Sequence, residues 1–222
     1  MNKHETQSGV TLTSQVYGRL YEDIIAGKLE PGTKLKVEEL RELYNTGASA
    51  VREALSQLSS DRLVDRFDRR GFRVAGVSDA EFRDLLNARC WIEERALREA
   101  ISRGQEAWEE NIVLCFYRLS KDPRSMGSDG VFSPNPAWEV HHKAFHMALL
   151  ADCGSPILLG YSQELYDKNV RYRNLAAPSA YPGRDTQSEH QAIMEATLAR
   201  EADKAVQLLL EHYRKTGAFL EI

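Results

Sequence analysis

The spacing of hydrophobic positions predicts three helices in the N-terminal part of the chain. Val16, Leu20 and Ile24 recur at helical spacing, and the turn-forming pair at 31–32, Pro-Gly, follows them. Two further stripes, separated by a tight turn at 45–47, indicate a second and a third helix: Val37, Leu40, Leu43 and Tyr44, then Val51, Ala54, Leu55 and Leu58. The predicted order is therefore helix, helix, turn, helix.

After Leu63 the hydrophobic period changes to two, which is typical of strands. Phe72 and Val74 alternate with small or polar neighbours, and the polar residues 68–70 precede them, so a hairpin is predicted here. Three helices and a hairpin are the order of a winged helix-turn-helix, whose third helix enters the major groove of DNA. We therefore assign residues 1–77 to such a DNA-binding domain, with another small α+β domain as the alternative.

The remainder of the chain, residues 78–222, shows only helical periodicity. SDAE at 78–81 is a capping box that opens a long helix. A second helix is predicted in the stretch that contains Trp108. A loop rich in Gly, Ser and Pro covers 120–136. The inward stripe of the long helix is Phe82, Leu85, Leu86, Arg89, Ile92, Ala96 and Ala100, and four more helices are predicted at 138–151, 155–176, 185–200 and 202–219. The predicted fold class is mainly α, a winged helix-turn-helix followed by an all-helical bundle with a central cavity.

Four of the six histidines fall on the inward side of three predicted helices. His142 and His146 lie four residues apart in HHKAFH, and His190 and His212 lie on the apolar faces of the last two helices. A buried imidazole without a partner costs about 1–3 kcal/mol, so four of them favour a shared partner. Histidine nitrogen is a ligand of zinc, nickel and related divalent ions. The alternative is an ordinary core in which each imidazole is hydrogen-bonded separately.

Three arginines of the bundle are candidates for binding an anion. Arg89 lies in the inward stripe of the long helix, where a guanidinium needs a negative partner. It could clamp the carboxylate of a ligand, or it could pair with Glu93 one turn later. Arg171 and Arg173, in the sequence RYR, supply further positive charge, and for at least one of them we expect an exposed position.

Composition limits the class of protein without identifying it. The 222 residues are 42% hydrophobic and 28% charged, which is typical of a globular protein. Residues 1–77 carry 12 Lys and Arg against 11 Asp and Glu, so charge alone does not indicate nucleic acid binding. No apolar run matches a membrane span or a signal peptide, and the three cysteines form no CxxC pair. We expect a cytoplasmic protein with reduced thiols and no membrane partner.

The sequence VREALSQLSSDRLVDRFDRRGFRVAGVS resembles the signature of the GntR family of bacterial transcription regulators. The preceding IIAGKLEPGTKL matches the same family. The resemblance implies that an arginine of the recognition helix and a glycine-bearing wing contact DNA, which corresponds to Arg52 and Gly71 here. Ser49 occupies a small-hydroxyl position of the same motif and is a candidate donor to a phosphate.

Two positions depart from the GntR pattern. The usual Ser-Arg before the signature is Gly-Ala at 47–48, and an arginine common at the start of the second helix is Glu38. The base contacts are therefore expected to differ from those of a typical member. The remaining basic candidates for DNA contact are Lys36, Arg41, Arg69 and Arg70. The last two could instead form an ordinary polar hairpin tip.

The second part of the chain resembles the FCD effector domain of the FadR subfamily of GntR regulators. The strings LNARCWIEERAL, HKAFHMALLADCGSPILL and SEHQAIMEATLAREADKAVQLLLEHYRKT carry this resemblance. REALSQL, AFH and CGS are similar to the subgroup that includes the carbon-starvation-induced regulator. Many FCD domains bind a metal through one Asp and three His, which implies His142 at the Asp position and His146, His190 and His212 at the others.

The replacement of the usual Asp by His142 makes the donor set less negative. Three consequences are open: a different preferred metal, weaker binding, or more positive charge for an anionic effector. FCD domains commonly sense small organic acids, so the resemblance implies a carboxylate pocket that includes Arg89, Arg171 and Arg173.

These observations favour a ligand-responsive transcription regulator. We expect a homodimer that binds an inverted-repeat operator in double-stranded DNA and represses a catabolic operon. The alternatives are a metal-dependent enzyme that uses the histidine cluster, and an architectural DNA-binding protein whose bundle only dimerises. The enzyme interpretation is weakened because no motif such as HExxH places a carboxylate beside the histidines.

Overall fold

The computed structural model describes residues 11–67, 71–128, 130–181 and 183–219. The chain divides into two compact units, Met1–Val77 and Ser78–Ile222. Each unit has its own cluster of buried hydrophobic side chains.

The first unit combines three helices with a small antiparallel sheet. Its elements in chain order are α1 (Leu12–Ile25), β1 (Lys34–Leu35), α2 (Val37–Leu43), α3 (Ala48–Ser60), β2 (Val64–Phe67) and β3 (Gly71–Val74). The strand order in the sheet is β1-β3-β2. The predicted helices and hairpin are confirmed, whereas β1 was not predicted because two residues show no periodicity.

The hydrophobic stripes of α1 and α3 form the core of this unit. Val16, Leu20 and Ile24 of α1 are buried, as is the predicted stripe of α3. The predicted stripe of α2 is only partly correct, because Leu40 is buried while Leu43 is 65% exposed. A helix of two turns has room for few inward positions, and Leu43 lies at its last residue.

The second unit is a bundle of six helices within the described residues. They are α4 (Asp79–Arg103), α5 (Glu106–Lys121), α6 (Pro136–Leu150), α7 (Pro156–Ala180), α8 (Thr186–Leu198) and α9 (Ala202–Gly217). The side chain of Ser78 accepts a hydrogen bond from the amide of Glu81, which confirms the predicted cap. The segment between α5 and α6 contains an isolated bridge from Ser125 to Pro134. None of the described helices is long and apolar enough to cross a membrane.

The inward face of α4 and the C-terminal end of α7 differ from the sequence prediction. On α4, Glu93 is fully buried while Ile92 is only half-buried, because buried Arg89 takes Glu93 as its partner one turn later. Helix α7 continues through Pro178 to Ala180, four residues beyond its predicted end. Proline removes one helical hydrogen bond and crowds the carbonyl four residues earlier, and α7 continues for only two residues beyond Pro178.

We expect Leu55→Ala to destabilise the first unit strongly and Leu43→Ala to change it little. Leu55 is fully buried in α3, and truncating a buried leucine costs about 2–5 kcal/mol. Leu43 is exposed, so the same truncation should stay within about 0.5 kcal/mol. Urea unfolding of the full chain followed by circular dichroism measures both. Equal losses in the two variants would show that the assigned core is wrong.

Candidate functional site

Four histidine side chains from three helices of the bundle converge in its interior. His142 and His146 come from α6, His190 from α8 and His212 from α9, and all four are buried. Each offers one ring nitrogen to a group whose atoms all lie within 4.8 Å of one another. The Nε2 atom of His142 lies 3.1 Å from the Nε2 atoms of both His190 and His146. The structure therefore brings together all four predicted ligands.

Hydrogen bonds on the far side of the rings fix the proton of three imidazoles. The Tyr166 hydroxyl donates to Glu139 at 2.8 Å, so its 2.6 Å contact with His142 Nδ1 must be donated by the imidazole. The Tyr213 hydroxyl donates to Glu93, so His146 Nδ1 donates to Tyr213 at 3.1 Å in the same way. His142 and His146 therefore carry their single proton on Nδ1.

His212 follows the same rule with a carboxylate as its acceptor. Its Nδ1 atom lies 2.7 Å from Glu189 Oε2, and a carboxylate can only accept. Burial raises the pKa of Glu189, but hydrogen bonds from His212 and Arg184 hold it below its usual value, so this carboxylate is ionised. In neutral His142, His146 and His212, each Nε2 atom is therefore unprotonated and carries a lone pair.

Burial and nearby basic side chains keep the histidines neutral. Burial, together with the neighbouring imidazoles and Arg173, holds the pKa of His142 well below its ordinary value. Burial likewise lowers the pKa of His212 to about 4, although the bond to Glu189 opposes this shift. A neutral imidazole with a free Nε2 and a bonded Nδ1 is the form that binds a metal.

The converging lone pairs fit a metal ion better than they fit a hydrogen-bonded core. Two bare Nε2 atoms at 3.1 Å repel each other unless a proton or a cation lies between them. Two nitrogens that each bind zinc at about 2.0–2.1 Å in tetrahedral geometry lie roughly 3.3–3.4 Å apart, close to this separation. The cluster could therefore hold a divalent metal ion.

Sequence reasoning missed the groups that surround the histidines. Glu139 lies one turn before His142 and Glu189 directly precedes His190, yet neither forms a known motif. The sequence contains no HExxH-type motif, but folding still brings carboxylates beside the histidines. These carboxylates come from neighbouring helical turns. They contact the imidazoles directly or through tyrosines and do not enter the donor group. The missed residues are Glu139, Tyr166, Arg184, Glu189 and Tyr213.

Arg89 forms the ion pair that was the alternative interpretation. Its Nε donates to Glu93 Oε1 at 2.6 Å, and its guanidinium carbon lies 3.8 Å from the centre of the Tyr213 ring. Both charged side chains are fully buried. Arg89 Nη2 is nevertheless buried without a hydrogen-bond partner among the described residues. One donor of this guanidinium remains available to a ligand.

The expected exposure of Arg171 or Arg173 is wrong, because both side chains are buried. They belong to the middle of α7, where the helix is covered by the rest of the bundle. Arg173 donates to Glu139 through Nη2, and its Nη1 is buried without a partner among the described residues. Because Glu139 also accepts from Tyr166, Arg173 is connected to His142 through three hydrogen bonds, by way of Glu139 and Tyr166.

In the first unit, the recognition helix and the wing line a common cleft. Arg52 and Ser56 of α3 lie beside Arg66 of β2 and Gly71 of β3 in a space of about 520 Å³. Arg52 is exposed and forms no ion pair with a described residue, so its guanidinium is available to DNA. Arg66 was not predicted as a contact, because a single arginine in a strand carries no motif. Gly71 has φ +85°, a conformation that favours glycine, and no atom would obstruct a Cβ there.

The other predicted DNA contacts fall into two groups. Ser49 is exposed in the first turn of α3, whose N-cap, Gly47, supplies no side-chain hydrogen bond. Lys36 pairs with Glu39, and Arg41 pairs with Glu38 at 2.7 Å, so both cations are engaged within α2. Such exposed pairs are weak and can open when a phosphate approaches. Arg69 and Arg70 lie outside the described residues.

A winged helix with an exposed arginine on its third helix, joined to a bundle that buries a histidine cluster, defines a two-domain DNA-binding regulator. Residues 12–74 match the family described as "Bacterial regulatory proteins, gntR family", and residues 84–215 match the FCD domain. The chain belongs to the GntR family of bacterial transcription regulators and carries an FCD domain. This family consists of regulators and not of enzymes, so the enzyme interpretation is set aside.

Curated relatives and solved structures agree with this assignment. The chain is 35% identical over 208 residues to the HTH-type transcriptional repressor GlaR of Escherichia coli K12, covering 91% of this chain and 93% of the relative. It is 36% identical over 203 residues to the HTH-type transcriptional regulator BphR of Paraburkholderia xenovorans, covering 91% and 82%. A GntR regulator structure from Rhodococcus sp. RHA1 has the same fold, with a TM-score of 0.70, 20% identity, and 93% and 95% coverage.

We expect Glu93→Ala to destabilise the metal-free bundle by about 3–5 kcal/mol, because it leaves the buried charge of Arg89 unpaired. Glu94→Ala is the matched control, since Glu94 pairs with Arg98 near the surface and such pairs contribute about 1 kcal/mol or less. Urea unfolding in the presence of a chelator compares the two variants. If Glu93→Ala costs no more than Glu94→Ala, the ion pair does not support the site.

Proposed function

We propose that this protein is a ligand-responsive repressor of the FadR subfamily that senses a small carboxylate in a metal-containing bundle. The observation that carries the proposal is the convergence of four buried imidazoles, three of which hold their Nδ1 protons in hydrogen bonds to groups outside the cluster. The relative named a repressor, which is 35% identical over most of both chains, supports the direction of regulation. Repression of a catabolic operon fits a sensor of an organic acid, because the acid would induce its own consumption. The proposed location is the cytoplasm, where operator DNA lies.

The metal would be held by His142, His146, His190 and His212. Zinc or nickel suits this donor set, because imidazole is a preferred ligand of both ions. When bound, the ion supplies a positive charge and a position for an anionic ligand. Four imidazoles saturate a tetrahedral ion, so contact with an effector needs a fifth or sixth position. The neutral donor set leaves the full charge of the ion to be balanced by that effector.

Arg89, Arg171 and Arg173 are the proposed arginines of the effector pocket. Arg89 Nη2 and Arg173 Nη1 are buried without partners among the described residues, and an unmet buried donor of a charged group costs free energy. A carboxylate oxygen that reaches either donor would remove this cost. Arg171 contributes positive charge in the same buried stretch of α7, although it already interacts with other residues.

DNA binding is assigned to Arg52, Ser49 and Gly71, with Lys36, Arg41, Arg69 and Arg70 as further contacts. The proposed roles are a base contact by Arg52 and a phosphate contact by Ser49. A single winged helix contacts few base pairs, so we propose a homodimer on an inverted repeat. The effector can change DNA affinity only by binding one arrangement of the protein better than another.

The metal proposal predicts about one ion per chain after loading with zinc or nickel and desalting. We expect His146→Ala and His190→Ala to lose most of this metal, because each removes one of the four donors. His141→Ala is the matched control: His141 neighbours His142 but lies 2.5 Å from Asp122, outside the cluster. Metal analysis by mass spectrometry is the measurement.

Thermal unfolding gives the second readout of the metal site. A chelator should lower the melting temperature of the wild type and of His141→Ala, because the ion binds only the folded state. Wild-type protein that holds well below one ion per chain, with melting curves unchanged by chelator, would contradict the metal centre. The histidines would then form a hydrogen-bonded core.

The DNA proposal predicts that Arg52→Ala weakens specific binding by about 1–3 kcal/mol, or roughly 5- to 150-fold, if Arg52 contacts a base. Lys28→Ala is the control for loss of one positive charge, because Lys28 is exposed and paired with Asp23. Fluorescence anisotropy with operator DNA and with unrelated DNA separates specific from general affinity. An Arg52→Ala variant that keeps wild-type specificity would contradict the assignment.

A further inference from the structure

A cleft of about 290 Å³ opens beside the histidine cluster. It lies between the segment that joins α5 to α6 and the first turn of α8. His190 and Trp138 form part of its wall, and the Trp138 ring stacks on His142 at a centroid distance of 4.3 Å. The cleft therefore reaches the side chains that surround the proposed metal position. Its size suits a small organic molecule.

Arg124 lines this cleft and differs from the other arginines near the cluster. Arg89, Arg173 and Arg184 each pair with a carboxylate, namely Glu93, Glu139 and Glu189 respectively. Arg124 forms no ion pair with a described residue. Its guanidinium carbon lies 5.8 Å from the ring centre of Phe132 and 5.9 Å from that of Trp138. Its Nη1 atom is buried and has no hydrogen-bond partner among the described residues.

The charges around Arg124 leave the cleft positive at depth. Burial, followed by the nearby charges of Arg184 and Arg173, lowers the pKa of Arg124 to about 10, so it remains protonated at neutral pH. Two carboxylates also line the cleft, but each has a partner. Asp122 contacts His141, and Asp185 lies on the surface and caps α8 through Ser188. The charges of Glu189 and Glu139 also act on Arg124 and partly oppose the lowering of its pKa, but these carboxylates pair with Arg184 and Arg173. Arg124 therefore has no carboxylate of its own among the described residues.

We propose that the cleft admits a dicarboxylate, with one carboxylate at the histidine cluster and the other bound by Arg124. This inference rests on the proposed function, because the first carboxylate binds at the proposed metal centre. The charges of the three paired arginines are cancelled by their glutamates. A divalent ion held by neutral imidazoles contributes two positive charges, and Arg124 contributes a third. A monocarboxylate would leave Arg124 unpaired, and a dicarboxylate would pair both positions.

The packing role of Arg124 is the competing explanation. A guanidinium held over Phe132 and Trp138 could simply close the cleft through cation–π contacts. These contacts do not satisfy Nη1, which has no hydrogen-bond partner among the described residues. A packing role predicts equal affinity for monocarboxylates and dicarboxylates, whereas a binding role predicts tighter binding of the dicarboxylate.

Isothermal titration of the full-length, metal-loaded protein tests the proposal. The probes are two series matched in chain length, straight-chain monocarboxylates from propionate to hexanoate and dicarboxylates from malonate to adipate. We expect at least one dicarboxylate to bind about 10- to 100-fold more tightly than the monocarboxylate of the same length, as a charge-assisted bidentate contact provides. A wild type that binds both series equally overturns the inference without any substitution.

Substitutions then assign the preference to a side chain. Arg124→Met should reduce the preference for the dicarboxylate to within about threefold while monocarboxylate affinity is retained, because the charge-assisted contact is lost. Arg124→Lys should keep part of the preference, because it retains the charge but not the bidentate geometry. Arg118→Met is the matched control, since Arg118 is exposed in the last turn of α5. A full preference in Arg124→Met overturns the inference.

Metal content and ligand binding separate failure of this inference from failure of the proposed function. Protein that binds neither metal nor any acid contradicts both. Protein that binds the metal, and that binds monocarboxylates and dicarboxylates with equal affinity, contradicts only the dicarboxylate inference. If Arg124→Met does not fold, judged by its melting curve, Arg124→Lys and the wild-type comparison still decide.

Discussion

The arrangement of the bundle depends on where the imidazole protons are held. His142 and His146 donate to tyrosine hydroxyls, and His212 donates to Glu189, so three Nε2 lone pairs are directed away from these acceptors. The tyrosines can accept only because their own protons go to Glu139 and Glu93. His142 and His146 are therefore each oriented by a chain of two further residues, and His212 is oriented by Glu189 directly. Such outer contacts set both the tautomer and the basicity of a metal-binding histidine.

The same glutamates connect the histidines to the arginines. Glu93 accepts from Tyr213 and from Arg89, and Glu139 accepts from Tyr166 and from Arg173. Each glutamate thus neutralises a buried cation and also fixes an imidazole. A ligand that displaced either arginine would change the hydrogen bond to the adjacent tyrosine. The cluster and the arginines form one connected polar network and should respond to ligand together.

Periodicity predicted most of the fold, because hydrophobic stripes determine which face of a helix is buried. The four histidines were found by the same argument, since they share the phase of apolar neighbours such as Phe145 and Ile193. Periodicity did not predict which polar side chains are buried because they pair with another side chain. Helical spacing offered the pairing of Arg89 with Glu93 only as an alternative, whereas the pairing of Arg173 with Glu139 joins two helices and no single stripe shows it. The partnership of Tyr213 with His146 joins α9 to α6 and depends on tertiary packing alone.

Arg124 was missed for a different reason. It lies in the segment between α5 and α6, where Gly, Ser and Pro indicate a loop and no face is defined. The environment of its guanidinium is created by Trp138 of α6 and Phe132, which chain folding brings beside it. Loop residues of this kind acquire a role from the scaffold around them and not from their own sequence pattern.

The absence of a carboxylate among the four donors bears on how the domain matures. A buried Asp among the ligands would place an unbalanced negative charge in the core of the apo-protein. Here the four donors are neutral, and the hydrophobic cluster that surrounds them includes Phe145, Leu149 and Ile193. Charge balance in this core therefore does not require an ion, unlike small zinc domains whose folding requires the metal. If the proposed ion binds, its loading is a step separate from folding, and synthesis of the regulator does not wait for metal supply.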